Sequence, residues 1–214
     1  MKVHEILPET LEERALGRAL ATGIVGAAMA MAPGRVDPST PAQPVQTSTR
    51  QISQHDQGPP EPSREELQQR QITTEIADRI AKRYSVEVEL ASRIVELAHR
   101  HEDPVFPTAK DILAVVGIES SFNPDAVSRL RRDPALGLMQ VRPGKWDLEP
   151  SDLEDIEDQI KHGALILKQY YRRLGDRDAA VQAYNIGLHN FRQGQTNPRY
   201  LTKYQRELNW LASI

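Results

Sequence analysis

The stretch from Thr108 to Ser121 reads TAKDILAVVGIESS and predicts a helix around which the rest of the domain is built. Thr108 belongs to the residue types that cap the N-terminus of a helix. The apolar residues that follow cover nearly the whole circumference of the helix rather than one stripe: Ile112, Leu113, Val115, Val116 and Ile118. Because a helix that is apolar all round is normally buried, we expect this helix at the centre of the fold.

Glu119 lies near the C-terminal end of this predicted helix. A carboxylate at that end faces the negative pole of the helix dipole, and burial among the apolar neighbours would raise its pKa. A carboxyl group that stays protonated near neutral pH can serve as a general acid. The position alone does not predict a function, because a glutamate is rarely buried and usually points into water.

Further helical signals on both sides predict an all-α domain over residues 63–214. Ile72, Ile76 and Ile80 recur every four residues, as they would on one face of a helix. No segment of several residues shows the strict alternation of a strand. We predict helices from Ser63, over about 86–101, over 109–121, from a capping box at 151–154 to Gly175, over 178–186 and from Asn197 onward.

The first 62 residues differ in composition from the rest. Seven of the 15 prolines lie in residues 33–62, so we predict an extended and mostly disordered linker there. Residues 1–32 contain most of an uncharged stretch, ALATGIVGAAMAMAPG, which is an export signal or a helix that docks on a partner or a membrane. It is shorter than the roughly 20 apolar residues of a spanning helix, and acidic residues before it are atypical of an export signal.

The overall composition excludes several classes of function. The chain has no cysteine, which excludes disulfides, zinc–thiolate sites and cysteine nucleophiles. Its 27 Lys and Arg residues against 30 Asp and Glu residues give a net charge of −3, which argues against a nucleic-acid partner bound through bulk charge. The histidines show no metal-ligand spacing and no glycine-rich phosphate loop is present, so we expect no metal and no cofactor.

Three short motifs follow one another in the second half of the chain: ILAVVGIESSFNPDAVS at residues 112–128, GLMQVRPGKW at 137–146 and AYNIG at 183–187. Their order and intervals resemble the soluble lytic transglycosylase (SLT) family, whose fold is all-α and lysozyme-like. RYLTKY at residues 199–204 is a weaker match to the tyrosine-bearing final helix of that family. The resemblance extends over about residues 86–208.

The resemblance implies cleavage, without water, of the β-1,4 bond between N-acetylmuramic acid (MurNAc) and N-acetylglucosamine (GlcNAc) in the glycan strands of peptidoglycan. Glu119 would protonate the glycosidic oxygen and then take the proton of the MurNAc C6 hydroxyl, which closes a 1,6-anhydro ring. Conventional glycosidases use two carboxylates, whereas only Glu119 stands in a motif here. A hydrolytic, lysozyme-like alternative would need Asp125 or Asp133, for which solvated loop positions are the simpler interpretation.

The resemblance also implies substrate-binding roles for seven other motif residues: Ser120, Gly137, Met139, Gln140, Tyr184, Asn185 and Tyr200. We expect Tyr184 to donate a hydrogen bond to Glu119. The amides of Gln140 and Asn185 suit sugar hydroxyl and acetamido groups. We expect Met139 in the wall of a substrate groove.

Some of these positions keep an alternative interpretation. Gly137 allows a close backbone approach or simply a turn, and the Ser120 hydroxyl could bond its own helix backbone instead. Tyr200 fits a tyrosine of the core almost as well. The stretch RLRRDPAL at 129–136 is longer and more basic than usual in the family. Its three arginines, within 129–132, either meet peptide-stem carboxylates of the substrate or form a solvated loop.

Two biological settings fit these features. One is a bacterial enzyme of the periplasm or cell envelope, including one that opens the wall for a secretion machine, and the other is an enzyme of a phage particle. In both settings residues 1–62 would attach the domain to a membrane or a larger assembly. A non-catalytic module that binds glycan in the same groove is the alternative from a different class, and the presence of Glu119 argues against it.

Overall fold

A computed structural model describes residues 63–213 of the chain, so the expected N-terminal segment (1–32) and linker (33–62) lie outside the described residues. The described α-helices are α1 (Arg64–Tyr84), α2 (Val88–Arg100), α3 (Ala109–Ser120), α4 (Ile156–Leu174), α5 (Arg177–Ile186), α6 (Leu188–Arg192) and α7 (Pro198–Ala212), with 3₁₀ turns at Pro143–Lys145 and Pro150–Leu153. Residues 63–213 contain isolated β-bridges but no β-strand, which confirms the predicted all-α fold.

Helix α3 lies at the centre, in contact with α2, α4 and α7. Every residue from 111 to 117 is buried, as the apolar circumference predicted. Thr108 caps the helix as expected, since its hydroxyl accepts a bond from the Asp111 N–H and the Asp111 carboxylate accepts the Thr108 N–H. The helix ends at Ser121, whose φ of 55° is left-handed. The ends of α3 are therefore fixed by local signals, and its position is fixed by burial.

Most helix boundaries lie within a few residues of the predictions, but the start of α4 differs. The predicted capping box at 151–154 lies in a 3₁₀ turn, which is closed by reciprocal hydrogen bonds between Glu149 and Asp152. Helix α4 begins only at Ile156, where the Asp155 carboxylate accepts the Glu157 N–H. The prediction that the helix begins at this capping box was wrong, because Asp155 and not Ser151 caps the helix.

Helix α1 is fastened to α7 by a polar cluster. The Glu207 carboxylate accepts hydrogen bonds from Arg83 Nη2 at 2.6 Å and from the Tyr84 hydroxyl at 2.7 Å. Of the isoleucine stripe predicted for this helix, Ile76 and Ile80 are buried, whereas Ile72 is exposed. No helix within residues 63–213 combines the length and apolar character that crossing a membrane requires.

Candidate active site

A cavity of about 290 Å³ lies at the C-terminal end of α3, and Glu119 forms part of its wall. The opposite wall comes from the end of α5 with Tyr184, Asn185 and Gly187. The segment from Ser128 to Trp146 and the middle of α4 close the remaining sides. The three sequence motifs, which are far apart along the chain, therefore meet at one cavity.

The Glu119 carboxyl is partly buried and accepts a hydrogen bond at Oε1 from the Tyr200 hydroxyl, at 2.6 Å. Burial raises its pKa, while the Tyr200 hydrogen bond and the positive charge of Lys203 act in the opposite direction. The burial effect is the largest, so the pKa of Glu119 lies above its ordinary value. This favours the protonated form that a general acid needs.

The expected hydrogen bond from Tyr184 to Glu119 is absent, and the structure corrects that prediction. The Tyr184 hydroxyl donates to the Met139 carbonyl oxygen at 2.7 Å, because its position at the end of α5 faces the turn that carries Met139. Tyr200 bonds Glu119 instead, because α7 lies along α3. Burial and the nearby Glu119 charge raise the pKa of both tyrosine hydroxyls well above their ordinary value, so both remain donors.

Met139 does not form the wall of the cavity, contrary to expectation. Its side chain is fully buried and does not line the cavity. The side chain fills a gap on α4 that exists because residue 163 is glycine: a Cβ there would lie 2.3 Å from the Met139 sulfur. Met139 therefore contributes its backbone carbonyl to the site, through the bond with Tyr184, and its side chain to the core.

Gly137 does not line the cavity, and the turn that begins there is tight and closely packed against Gln159. The φ of Gly137 is +70°, and a Cβ there would lie 2.2 Å from the side-chain carbon Cδ of Gln159. Gln159 Oε1 accepts the Leu138 N–H at 2.8 Å, and its Nε2 donates to the carbonyl oxygens of Pro124 and Leu153. Sequence reasoning missed Gln159, because a glutamine on a helix normally indicates an exposed position.

Two expected amide residues do line the cavity, and both have partners within the protein. Gln140 Nε2 donates to the carbonyl oxygens of Ala126 at 2.9 Å and Gly137 at 3.0 Å. Asn185 Oδ1 accepts a hydrogen bond from Asn197 Nδ2 at 2.8 Å. These contacts hold the two side chains in place at the cavity.

Ser120 and Tyr200 stand behind the cavity wall. The Ser120 hydroxyl donates to the Val116 carbonyl oxygen of its own helix at 3.2 Å, the alternative considered for it. Tyr200 is only 7% exposed and belongs to the core, yet its hydroxyl reaches Glu119. The two interpretations of Tyr200 are therefore compatible: its ring packs in the core and its oxygen belongs to the site.

The cavity also includes residues for which no role was predicted. Arg142, Lys145, Trp146 and Tyr170 line it, and the rings of the last two lie 5.7 Å apart between centroids. Lys145 and Trp146 belong to the second motif, which predicted a site in this part of the chain. Only the fold shows which side chains of that motif line the cavity with Glu119. No group of three or more His, Asp or Glu side chains within residues 63–213 is arranged to hold a metal ion.

The two aspartates considered for hydrolysis do not line the cavity. The Asp133 carboxylate accepts hydrogen bonds from Arg142 Nε at 3.1 Å and from the Gly144 N–H at 3.0 Å. Asp125 is exposed in the loop after α3. Asp133 thus holds the second half of the second motif in place.

Comparison with known proteins agrees with this arrangement. The model of a family described as the transglycosylase SLT domain matches residues 108–206, which include Glu119 and all three motif segments of the cavity. Residues 108–206 thus match the transglycosylase SLT domain, the family that the motifs predicted.

Among curated proteins, the chain is similar to a protein named Transglycosylase from Enterobacteria phage PRD1, with 32% identity over 101 residues. The match covers 47% of this chain and 37% of the phage protein, so it spans well under half of that relative. No solved structure matches the chain significantly.

Proposed function

We propose that residues 63–214 form a peptidoglycan lytic transglycosylase that cleaves the MurNAc–GlcNAc bond without water and releases 1,6-anhydro products. The observation that carries this proposal is the state of Glu119. Among the described residues it is the only carboxylic acid that lines the cavity, and burial raises its pKa. A single acid that alternates between proton donor and acceptor suits a reaction in which the substrate supplies its own nucleophile.

The proposed reaction balances its protons within the site. Glu119 first gives its proton to the glycosidic oxygen while the bond from that oxygen to C1 of MurNAc breaks. The Glu119 carboxylate then accepts the proton of the C6 hydroxyl while O6 bonds to C1. Glu119 ends protonated, and no water is consumed. The Tyr200 hydrogen bond would stabilise the carboxylate between the two steps, since it favours the charged form.

The same geometry argues against a hydrolytic lysozyme, the alternative reaction. A second carboxylate would have to face the anomeric carbon or activate a water, whereas Asp133 bonds Arg142 and Asp125 lies in an exposed loop. For substrate binding, Gln140, Asn185 and Tyr184 line the cavity beside Glu119. We therefore assign them the contacts with the sugar rings.

The setting is also a proposal. The similarity to a transglycosylase of a phage supports a role in a phage particle that locally opens the cell wall. An envelope enzyme of a bacterium, working beside a secretion machine, is the second setting. In either case residues 1–62, which precede the wall-degrading domain, would attach that domain to a membrane or a larger assembly.

Mass spectrometry of sugar products tests the proposal. The full chain is incubated with purified peptidoglycan, beside Glu119→Gln and the control Glu89→Gln, which changes an exposed glutamate on α2. We expect products one water lighter than hydrolytic muropeptides from the parent chain and the control, and none from Glu119→Gln. Hydrated products would show a lysozyme instead. Glycan binding without any product would favour the non-catalytic module.

A further inference from the structure

Basic side chains outnumber acidic ones among the residues that line the cavity, although the chain as a whole is acidic. The chain carries −3, whereas the charged side chains that line the cavity are Glu119, Arg142 and Lys145. Arg142 is neutralised by Asp133, with Nε and Oδ2 3.1 Å apart. Lys145 is the other cation that lines the cavity.

Lys145 is held in the cavity by its position at the end of the 3₁₀ turn Pro143–Lys145. Its side chain is partly buried, and Nζ lies 3.7 Å from where a Cβ on Gly187 would stand. The ammonium group therefore lies between the second and third motif segments. None of the ion pairs among the described residues includes Lys145.

The position of this charge does not point to a role in proton transfer. The cation that acts on the pKa of Glu119 is Lys203, and Lys145 is not among the groups that shift it. A lysine that is partly buried in a cavity, without a carboxylate partner from the protein, is suited to a carboxylate supplied by a ligand. Arg129, Arg131 and Arg132 are exposed, and Leu130, between the first two of them in the chain, lines the cavity.

In the glycan strands of peptidoglycan, the negative charge is carried by the carboxylates of the peptide stem on MurNAc, or by the lactyl carboxylate of MurNAc where the stem has been removed. GlcNAc is neutral. We propose that Lys145 binds one of these carboxylates, so that the site selects glycan strands with an anionic group over neutral strands of the same backbone. This inference rests on the proposed function, since it names the feature of the proposed substrate that the site recognises.

The test compares Lys145→Met with Lys145→Arg and with the control Lys110→Met, which changes an exposed lysine in the first turn of α3. Each full-length variant is assayed for anhydro products with intact peptidoglycan and with strands whose peptide stems have been removed, which leaves the lactyl carboxylate. In the Glu119→Gln background, binding of peptidoglycan fragments is compared with binding of neutral chitooligosaccharides.

We expect Lys145→Met to raise KM for intact peptidoglycan about tenfold, which corresponds to about 1.4 kcal/mol, with kcat and its pH profile nearly unchanged. Chitooligosaccharide binding should not change, and Lys145→Arg should restore most of the affinity. A loss confined to intact peptidoglycan assigns the carboxylate to the peptide stem. A loss confined to stripped strands assigns it to the lactyl group, whose carboxyl is free only after the stem has been removed.

Unchanged affinity of Lys145→Met for both peptidoglycan substrates, or an equal loss with chitooligosaccharides, would overturn this inference. Neither result depends on the proposed reaction, because binding is measured in the Glu119→Gln background. Absence of anhydro products from the parent chain would overturn the proposed function instead. The two failures are therefore distinguishable.

Discussion

Two carboxyl–tyrosine pairs join the same two helices, α3 and α7. The contact is the same in both pairs, but the surroundings of the two carboxyl groups differ. Tyr204 donates to Asp111 Oδ1 at 2.5 Å near the start of α3, and Tyr200 donates to Glu119 Oε1 at 2.6 Å near its end. The tyrosines are one helical turn apart on α7. Both pairs help hold the central helix, but only one of them opens onto the cavity.

The surroundings of the two acids separate their roles. Asp111 is 2% exposed and accepts two further hydrogen bonds, from the Thr108 N–H at 2.7 Å and the Thr108 hydroxyl at 2.8 Å. It also lies in the first turn, where the helix dipole favours a negative charge. Glu119 has Tyr200 as its one hydrogen-bond partner among the described residues and lies at the end where the dipole opposes a negative charge. A saturated carboxylate supports structure, whereas an unsaturated one remains available to a substrate.

The largest expected effect concerns the reaction. Glu119→Gln should lower the rate of anhydro-product formation by about 100-fold or more, because general acid–base groups typically contribute factors of this size. The melting temperature should not fall, since the amide can still accept the Tyr200 hydrogen bond. An active variant would contradict the catalytic role of Glu119. An inactive variant that is unfolded by circular dichroism would contradict its distinction from the structural Asp111.

The second effect concerns stability. Asp111→Asn should lower the free energy of unfolding by about 2 kcal/mol, because the new amide group turns a donor toward donors at Thr108 or Tyr204. Urea denaturation measures the loss, and the activity per folded molecule should be nearly unchanged. Asp125→Asn, at an exposed loop position, is the control and should change stability by less than about 0.5 kcal/mol. Equal losses for the two variants would contradict the structural role of Asp111.

Local signals explain why so much of the fold was predictable. The apolar circumference of α3, the Thr108 cap and the Asn197–Pro198 start of α7 each depend on residues within a few positions of one another. Such patterns fix where helices begin, end and turn their apolar faces. The capping box predicted at 151–154 shows the limit of such patterns, because another capping residue, Asp155, lies next to it and starts α4 instead.

The site was predictable only as far as the motifs reached. Glu119 and the approximate cavity followed from them, but the tyrosine that bonds Glu119 did not. That choice depends on how α7 lies on α3, which is a contact across 81 positions of sequence. The burial of Met139 depends likewise on a glycine of α4. Such arrangements between distant segments have no local signal in one sequence.

The third prediction concerns a variant that lacks the hydrogen bond between Tyr200 and Glu119. Tyr200→Phe removes a hydrogen bond that lowers the pKa of Glu119, so this pKa should rise further above its ordinary value. The alkaline limb of the kcat profile should then move to higher pH, and kcat at its plateau should fall by about fivefold, as the loss of about 1 kcal/mol implies. Tyr204→Phe is the matched control and should lower stability without moving the profile. A shift to lower pH in Tyr200→Phe would contradict the prediction.

The smallest effect follows from the pKa of Glu119 through its linkage to folding. Because burial raises this pKa in the folded chain, the folded state holds the proton more tightly than the unfolded state, whose ordinary value is about 4.3. The stabilising contribution is therefore complete below about pH 4.3 and is lost as the pH rises through the raised folded value.

Glu119→Gln has no such proton, so its melting temperature relative to the parent chain should increase slightly between pH 4 and pH 8. Thermal melts at several pH values measure this difference, with Glu89→Gln as the control for the exchange of an exposed glutamate. A difference that decreased with pH would mean that the fold favours the charged carboxylate. In that case Glu119 would begin the reaction in the wrong protonation state for a general acid, and its distinction from Asp111 would rest on access to the cavity alone.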